Sequence, residues 1–281
     1  MPAMLLSRRE VEAAVRTLRP LPRAVTRLIE LVESETATIE QMETLINADP
    51  VLCGKILQVA NSAYYGLARQ VNSIRGALML LGAHTIKGIT LSVAAVAALR
   101  TGRAVCEAEH RLWRHAFLCA GYAQGIAQAS RWGMRVAEDA YIVGLLHDIG
   151  SLFLLTRFPA QYRPLLKRAE QEPELFLERE LQTFGCDHAD VGAMIADHWT
   201  LPERIVQAIA NHHAPFLPEG DLRLLAAAAI QADGWEGESF SPPPQELSTL
   251  IRLSEEVGQR IRQRVGEHLE SLSQILFSYT N

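Results

Sequence analysis

The chain has 281 residues, 48% of them hydrophobic and 21% charged, with a formal net charge of −5. It is long enough for one large domain or two small ones and can bury a full core without staples. The acidic balance argues against a broadly basic nucleic-acid-binding surface. Arg8, Arg9, Arg16, Arg19, Arg23 and Arg27 are interleaved with acids, as on a solvated helix face.

Cys53, Cys106, Cys119 and Cys186 are scattered without CxxC spacing and read as reduced, mostly buried thiols of a cytoplasmic protein. MPAMLL is followed at once by the charged SRREVE, which is not the pattern of a signal peptide. The longest uncharged apolar run, GITLSVAAVAAL at 88–99, is short of the roughly 18 residues that span a bilayer and predicts a buried core helix.

In chain order, the pattern is helix after helix. Val25, Leu28, Ile29 and Val32 recur at i, i+3, i+4, i+7. Thr38 with Gln41 is a capping box, and Asp49-Pro50 is an acidic cap followed by proline at the first helical position. Ser73 starts a further helix that Gly82 ends, and 84–100 continues the pattern. After Thr101-Gly102, helices are predicted at about 107–130, 138–148, 151–169, 173–184, 188–199, 202–213 and 221–233, with Gly185 and Asp187 as a stop and a start. No alternating strand pattern is present, so the fold class is all-α, with two helical lobes at 1–105 and 106–235. The run GESFSPPPQE (237–246) breaks the chain. A tail at 236–281 follows, with amphipathic helix over 245–276 marked by Leu247, Leu250, Val257, Ile261, Leu269, Leu272 and Leu276. Its stripe is expected to dock on the N-terminal lobe or on a second subunit as a homodimer, since a stripe that long left in water invites aggregation.

The chemistry concentrates on histidine and aspartate. His147-Asp148 closes the apolar run YIVGLL, placing two ligand types at a rigid helix end, and Gly150 is expected to turn the chain tightly with a left-handed residue. His115 lies mid-helix, and Asp233 closes LLAAAAIQA, where a buried carboxylate must find water, a donor or a cation. Imidazole with carboxylate suits zinc, iron or manganese. His84, His110 and His268 read as ordinary surface or hydrogen-bonded histidines, Asp49 as a cap. His198, about 80° from His188 on one helix, is a weak ligand candidate.

The phrases LRPLP (18–22), LINADP (45–50), ANSAYY (60–65), IRGA (74–77) and LLG (80–82), then GLLHDIG (144–150), DHADVGA (187–193), WTLPERIVQAI (199–209) and His212-His213, resemble the HDOD family of bacterial signalling proteins over residues 15–215. That family is similar to the HD and HD-GYP phosphohydrolases, which bind one to three metals and cleave phosphoesters, cyclic di-GMP included. The resemblance implies a metal shell of His115, His147, Asp148, His188, His212, His213 and Asp233, holding iron, manganese or zinc. Two departures stand out: Ser151 follows HDIG where HD-GYP enzymes carry lysine, and APFLPEG (214–220) follows the histidine pair in place of a GYP loop. These predict no cyclic di-GMP hydrolysis.

Three functions are in play. One is a non-catalytic regulatory module that binds a signalling protein or small ligand. Another is a metal-dependent phosphohydrolase acting on a nucleotide or other phosphoester. The third is a helical adaptor whose histidines are incidental. No nucleic-acid or membrane partner is expected.

Overall fold

The computed structural model describes residues 5–34, 37–62, 65–100, 105–214, 222–236 and 246–277, with side chains to 267 except that of residue 236. The expected proline break at 237–245, the loop in place of GYP, the Thr101-Gly102 boundary, Tyr64 and the side chains of His268, Leu269, Leu272 and Leu276 lie outside what is described. All regular structure among the described residues is helical.

The chain opens with α1 (Arg8–Val15), capped by a box between Ser7 and Glu10. Five helices follow: α2 (Arg23–Glu33), α3 (Ile39–Asn47), α4 (Pro50–Ala60), α5 (Ile74–Leu81) and α6 (Ala83–Leu99). The predicted punctuation holds at the atomic level. The Thr38 hydroxyl accepts from Gln41 N–H, Asp49 accepts from the N–H groups of Val51 and Leu52, and Ser73 from Gly76 N–H. Gly82 takes φ +83°, a value glycine adopts without penalty, and this separates α5 from α6.

The long α7 (Glu107–Ala129) and α8 (Met134–Leu146) pack side by side, and α9 (Ile149–Arg157) follows. The predicted helix at 151–169 is two helices, α9 and α10 (Pro159–Ala169). Pro159 has no N–H to continue the ladder, and Phe158 before it is pushed to φ −127°, ψ 54°. A 3₁₀ turn (Pro173–Leu175) then leads into α11 (Phe176–Phe184), which Gly185 ends at φ +68°. The Asp187 side chain accepts from Asp190 N–H and starts α12 (His188–His198). The remaining helices are α13 (Glu203–Ala210), α14 (Leu222–Glu236), the single turn α15 (Leu247–Leu250) and α16 (Glu255–Phe277).

The helices form two compact units, and their division differs from the expected lobes. One unit holds residues 19–104 and 262–281. Within it α6 packs on α2 and α4, and α3 packs on α5. The other holds 1–18 and 105–261. The first helix therefore belongs with the histidines. Its stripe of Val11, Ala14 and Val15 is buried, Leu6 N–H donates to Thr183 O at 2.8 Å, and Arg8 pairs with Asp190 at 3.3 Å. The chain changes unit in the proline-flanked LRPLP phrase, not at a lobe boundary near 105 alone.

The tail is also shared. Ile261 presses on α7 at Gly125, where an added Cβ would come within 2.7 Å of its methyl, and Trp235 lies beside Gly258. The start of the stripe thus docks on the histidine unit, whereas the part of the tail beyond Ile261 falls in the same unit as residues 19–104, the lobe on which docking is expected. Leu250 and Val257 are half-buried there, whereas Ile261 and Val265 are buried.

The stretch Met134–Arg157 has the length and composition of a membrane span, yet 94% of its apolar window is buried inside the fold. It is core. Its His147-Asp148 junction interrupts it and builds the site.

Candidate metal centre

Helix α8 runs out at His147, and Asp148 sits at φ −99°, ψ 15° between α8 and α9. This junction projects two adjacent side chains into the middle of the unit. Glycines bring the neighbouring helices close. A Cβ on Gly144 would lie 2.5 Å from Cys119 O of α7, and one on Gly150 would collide with His188 O of α12. Gly150 is therefore not the left-handed turn expected from the sequence. It lies inside α9, and its missing side chain lets the α9 and α12 backbones touch.

All seven predicted residues converge, in two groups joined by Asp148. In the first, His115 Nε2 lies 3.1 Å from His147 Nε2 and 3.3 Å from Asp233 Oδ1. In the second, His188 Nε2 lies 2.8 Å from His213 Nε2, with His212 beside them. Asp148 faces both. Its Oδ2 is 3.7 Å from His115 Nε2 and 3.8 Å from His147 Nε2, and its Oδ1 is 3.2 Å from His188 Nε2 and 3.5 Å from His212 Nε2. The second group is nearly as deep: His188 is 0% and His212 2% exposed, and His213 is half-buried.

The tautomers follow from the far side of each ring. His147 Nδ1–H donates to Gly144 O at 2.8 Å, and His212 Nδ1–H donates to Ile209 O at 2.7 Å. His188 Nδ1–H donates to Glu180 at 2.7 Å. Each ring therefore turns its Nε2 inward, as a second shell does for a ligating histidine. His212 Nε2 is buried without a hydrogen-bond partner. Such an acceptor is costly unless a cation or donor meets it. The donor set and this orphaned nitrogen fit divalent ions, and the cluster can hold metal at two positions.

Charge alternates through the cluster. Burial disfavours the His115 imidazolium, but the Cys119 sulfur, Asp233 and Asp148 outweigh it and hold its pKa well above the ordinary value. His147 is lowered to about 4 by burial, with His212 and His115 adding to the effect. Burial opposes ionisation of Asp148, yet His147 and His188 keep it well below the usual carboxylate range. Burial likewise opposes charge on His188, but Glu180 and Asp148 raise it well above. His213 is driven well below by burial, then by His212 and His188.

Three participants escape a reading of the sequence. Glu180 is 0% exposed and binds both His188 and Tyr162, yet it sits in ERELQ, which looks like any surface helix. Tyr162 is reached only through the fold. Cys119 did carry a signal, one helical turn after His115. Its sulfur lies beside the ring, 3.5 Å from Nε2 and 3.8 Å from Nδ1, so it addresses neither lone pair squarely. Burial pushes its thiol up to about 12. Of the weaker candidates, His198 donates from Nε2 to Leu18 O at 3.2 Å and takes no part, and Asp49 is a helix cap.

A cavity of about 400 Å³ opens on this centre. Asp148 and Ser151 form its polar inner wall, Leu112, Leu166 and Phe176 its apolar sides, and Arg111 with Glu170, paired at 3.6 Å, its rim.

The chain matches the HDOD domain over residues 18–215. A curated relative, an uncharacterised protein of Treponema pallidum (strain Nichols), is 27% identical over 246 residues, 84% of this chain. The chain spans about half of that relative, 47% of its length. Among solved structures, an HDOD domain protein with unknown function from Geobacter sulfurreducens is 26% identical, with TM-score 0.72 over 96% of this chain and 97% of that one. A candidate signal transduction protein of Marinobacter aquaeolei VT8 (20% identity, TM-score 0.77, 96% of this chain and 65% of that one) shares the fold. So does a candidate metal-dependent phosphohydrolase of Shewanella amazonensis SB2B (21%, 0.61, 95% of each chain). With a family match over more than half its length and the His-Asp centre at the heart of that match, the chain belongs to the HDOD domain family.

Proposed function

We propose that the chain is a non-catalytic regulatory module of bacterial signal transduction, in which the paired positions around Asp148 hold divalent ions and anchor a small ligand in the adjoining cavity. The observation that carries this is Asp148 itself, shared between two inward-facing imidazole groups on one side and lining the cavity on the other. Bound ions supply positive charge that fixes an anionic oxygen. His147, His188 and His212 direct Nε2 inward, Asp148 joins the two positions, and the apolar walls exclude water from the rest of the ligand.

Hydrolysis needs more: a group that gives a proton to the leaving oxygen. Ser151 stands where the HD-GYP enzymes carry lysine, and it is engaged with Tyr162 at 2.8 Å. The cavity rim offers an ion pair, Arg111 with Glu170, and no histidine is among its described lining residues. The alternative, a metal-dependent phosphohydrolase acting on a nucleotide or other phosphoester, is favoured by the intact His-Asp set and by the name of the Shewanella neighbour.

The experiment is to load the protein with manganese or zinc, count the ions, and screen phosphomonoesters, phosphodiesters and cyclic di-GMP. The wild type is expected to retain ions that a His147→Ala, Asp148→Ala variant loses, with no turnover above that variant. Robust turnover that vanishes in the variant establishes the hydrolase instead.

A further inference from the structure

We infer that the cavity is polarised to take an anion that also carries a hydrogen-bond donor, a hydroxyl or amino group within a carbon or two of its anionic end. The inference rests on the ligand-binding reading above and deepens it. It follows from counting protons along a buried chain, from Glu180 through Tyr162 to Ser151.

Glu180 is fully buried, and three groups converge on its two oxygens. His188 N–H donates to Oε2 at 3.0 Å, His188 Nδ1–H to the same oxygen at 2.7 Å, and the Tyr162 hydroxyl to Oε1 at 2.6 Å. Two N–H donors leave Oε2 no place for a proton, and 2.6 Å at Oε1 is the length of a hydroxyl donating to a charged oxygen, so Glu180 is the carboxylate and accepts from all three. The phenol has one proton, and Glu180 takes it. Tyr162 O nevertheless lies 2.8 Å from Ser151 Oγ. With the phenol proton committed, that contact is made by the serine proton, donated to Tyr162 O. Burial and the neighbouring Glu180 charge both oppose loss of the phenol proton.

A serine in a binding site ordinarily donates or accepts as its ligand requires. Here the relay fixes it. Ser151 has only lone pairs left for the cavity whose inner wall it shares with Asp148, three residues earlier on the same helix end. Asp148 is a carboxylate and accepts as well. The inner wall is thus an acceptor surface beside the ion positions. A ligand that brings only acceptors there faces lone pair against lone pair, whereas a hydroxy- or amino-bearing phosphate or carboxylate satisfies both the ions and the serine.

Three probes of equal charge and similar size separate the cases: propane-1,2-diol 1-phosphate (a donor), propyl phosphate (neither) and acetol phosphate (an acceptor only). Their dissociation constants are measured by calorimetry on the full, manganese-loaded chain. The expected order is the diol ester tightest and acetol phosphate weakest, about tenfold apart. Ser151→Ala should compress the series to within about twofold. Tyr162→Phe releases the serine proton and should bring acetol phosphate up to the diol ester. The wild-type order needs no variant to fold. Equal binding of the three probes, or a preference for acetol phosphate, overturns the polarity and leaves the ligand site standing. No binding of any probe overturns both.

Discussion

In the N-terminal unit, Lys87 is 1% exposed and meets the carboxylate of Glu33 at 2.9 Å. In the histidine unit, His115, His147, Asp148, His188, His212 and Asp233 are each at most 5% exposed and crowd one another. The first arrangement is how a helical core tolerates a charge: one cation, one anion, neutral as a pair. The second packs imidazole nitrogens against each other at 2.8 and 3.1 Å and leaves one buried nitrogen, His212 Nε2, without a hydrogen-bond partner. Among the described residues, both groups of side chains with metal-ligating geometry fall in the histidine unit. Buried polarity closes as one ion pair at Lys87 and gathers as a set of potential ligands in the histidine unit.

Single glycines allow a second comparison. Gly144, Gly150 and Gly192 sit where helices touch in the histidine unit, whereas Gly54 of α4 has nothing within 4 Å of its missing Cβ. The largest expected effect tests the tight side. Gly150→Ala must force α9 off α12 and should cost more than about 3 kcal/mol, enough to disrupt the unit. All four tryptophans, Trp113, Trp132, Trp199 and Trp235, lie in the histidine unit, so tryptophan fluorescence follows that unit in a urea titration. An unchanged fluorescence midpoint would show that the close crossing of α9 and α12 is not required.

The next effect concerns the carboxylate behind the centre. Glu180→Gln points an amide NH₂ at groups that are themselves donors and frees His188 to turn. Ion affinity should fall about 10–100-fold, read by competition with a coloured chelator. The same titration sharpens the charge pattern. In the ion-free protein His115 and His188 have raised pKa values and keep protons at neutral pH, and an ion must displace them. Uptake should release on the order of two protons, so apparent affinity rises with pH across the neutral range. Uptake without proton release would mean that both rings are already neutral.

Much of this was legible from residue order, and the reasons are local. Caps at Thr38, Asp49, Ser73 and Asp187 and stops at Gly82 and Gly185 are decided by neighbours a few residues away, so the helices could be placed from the sequence. The seven ligand candidates were named through a family resemblance, and the fold brings them together. What could not be read depends on partners distant in the chain. Gly150 looks like a turn residue until His188 O is known to lie against it. Glu180 looks solvated until Tyr162 and His188 arrive on either side. Helix α1 carries a buried stripe that any nearby groove satisfies, and nothing in RREVEAAV says the groove belongs to the more distant segment.

On the other side of the comparison, Glu33→Gln leaves the Lys87 ammonium without its full countercharge. It should cost about 2 kcal/mol, less than a fully buried pair because the Glu33 side chain keeps 22% exposure. Lys87→Met, which removes the charge and keeps the length, should be milder. If both substitutions cost the same, the pair is held by packing of the lysine stem and not by charge.

The smallest effect has the opposite sign. Gly54 lies in the interior of α4 with solvent in place of neighbours, so an alanine there meets no obstacle. It is not among the glycines with positive φ, so the added Cβ brings no backbone strain. Gly54→Ala removes conformational freedom from the unfolded chain and improves helix propensity, for a gain of about 0.5–1 kcal/mol. The gain should appear in the circular-dichroism melt while the tryptophan-detected transition stays where it was, provided the two units unfold separately. A shift of both signals together would show that the units melt as one. A loss of stability would mean that Gly54 faces a contact its surroundings do not display.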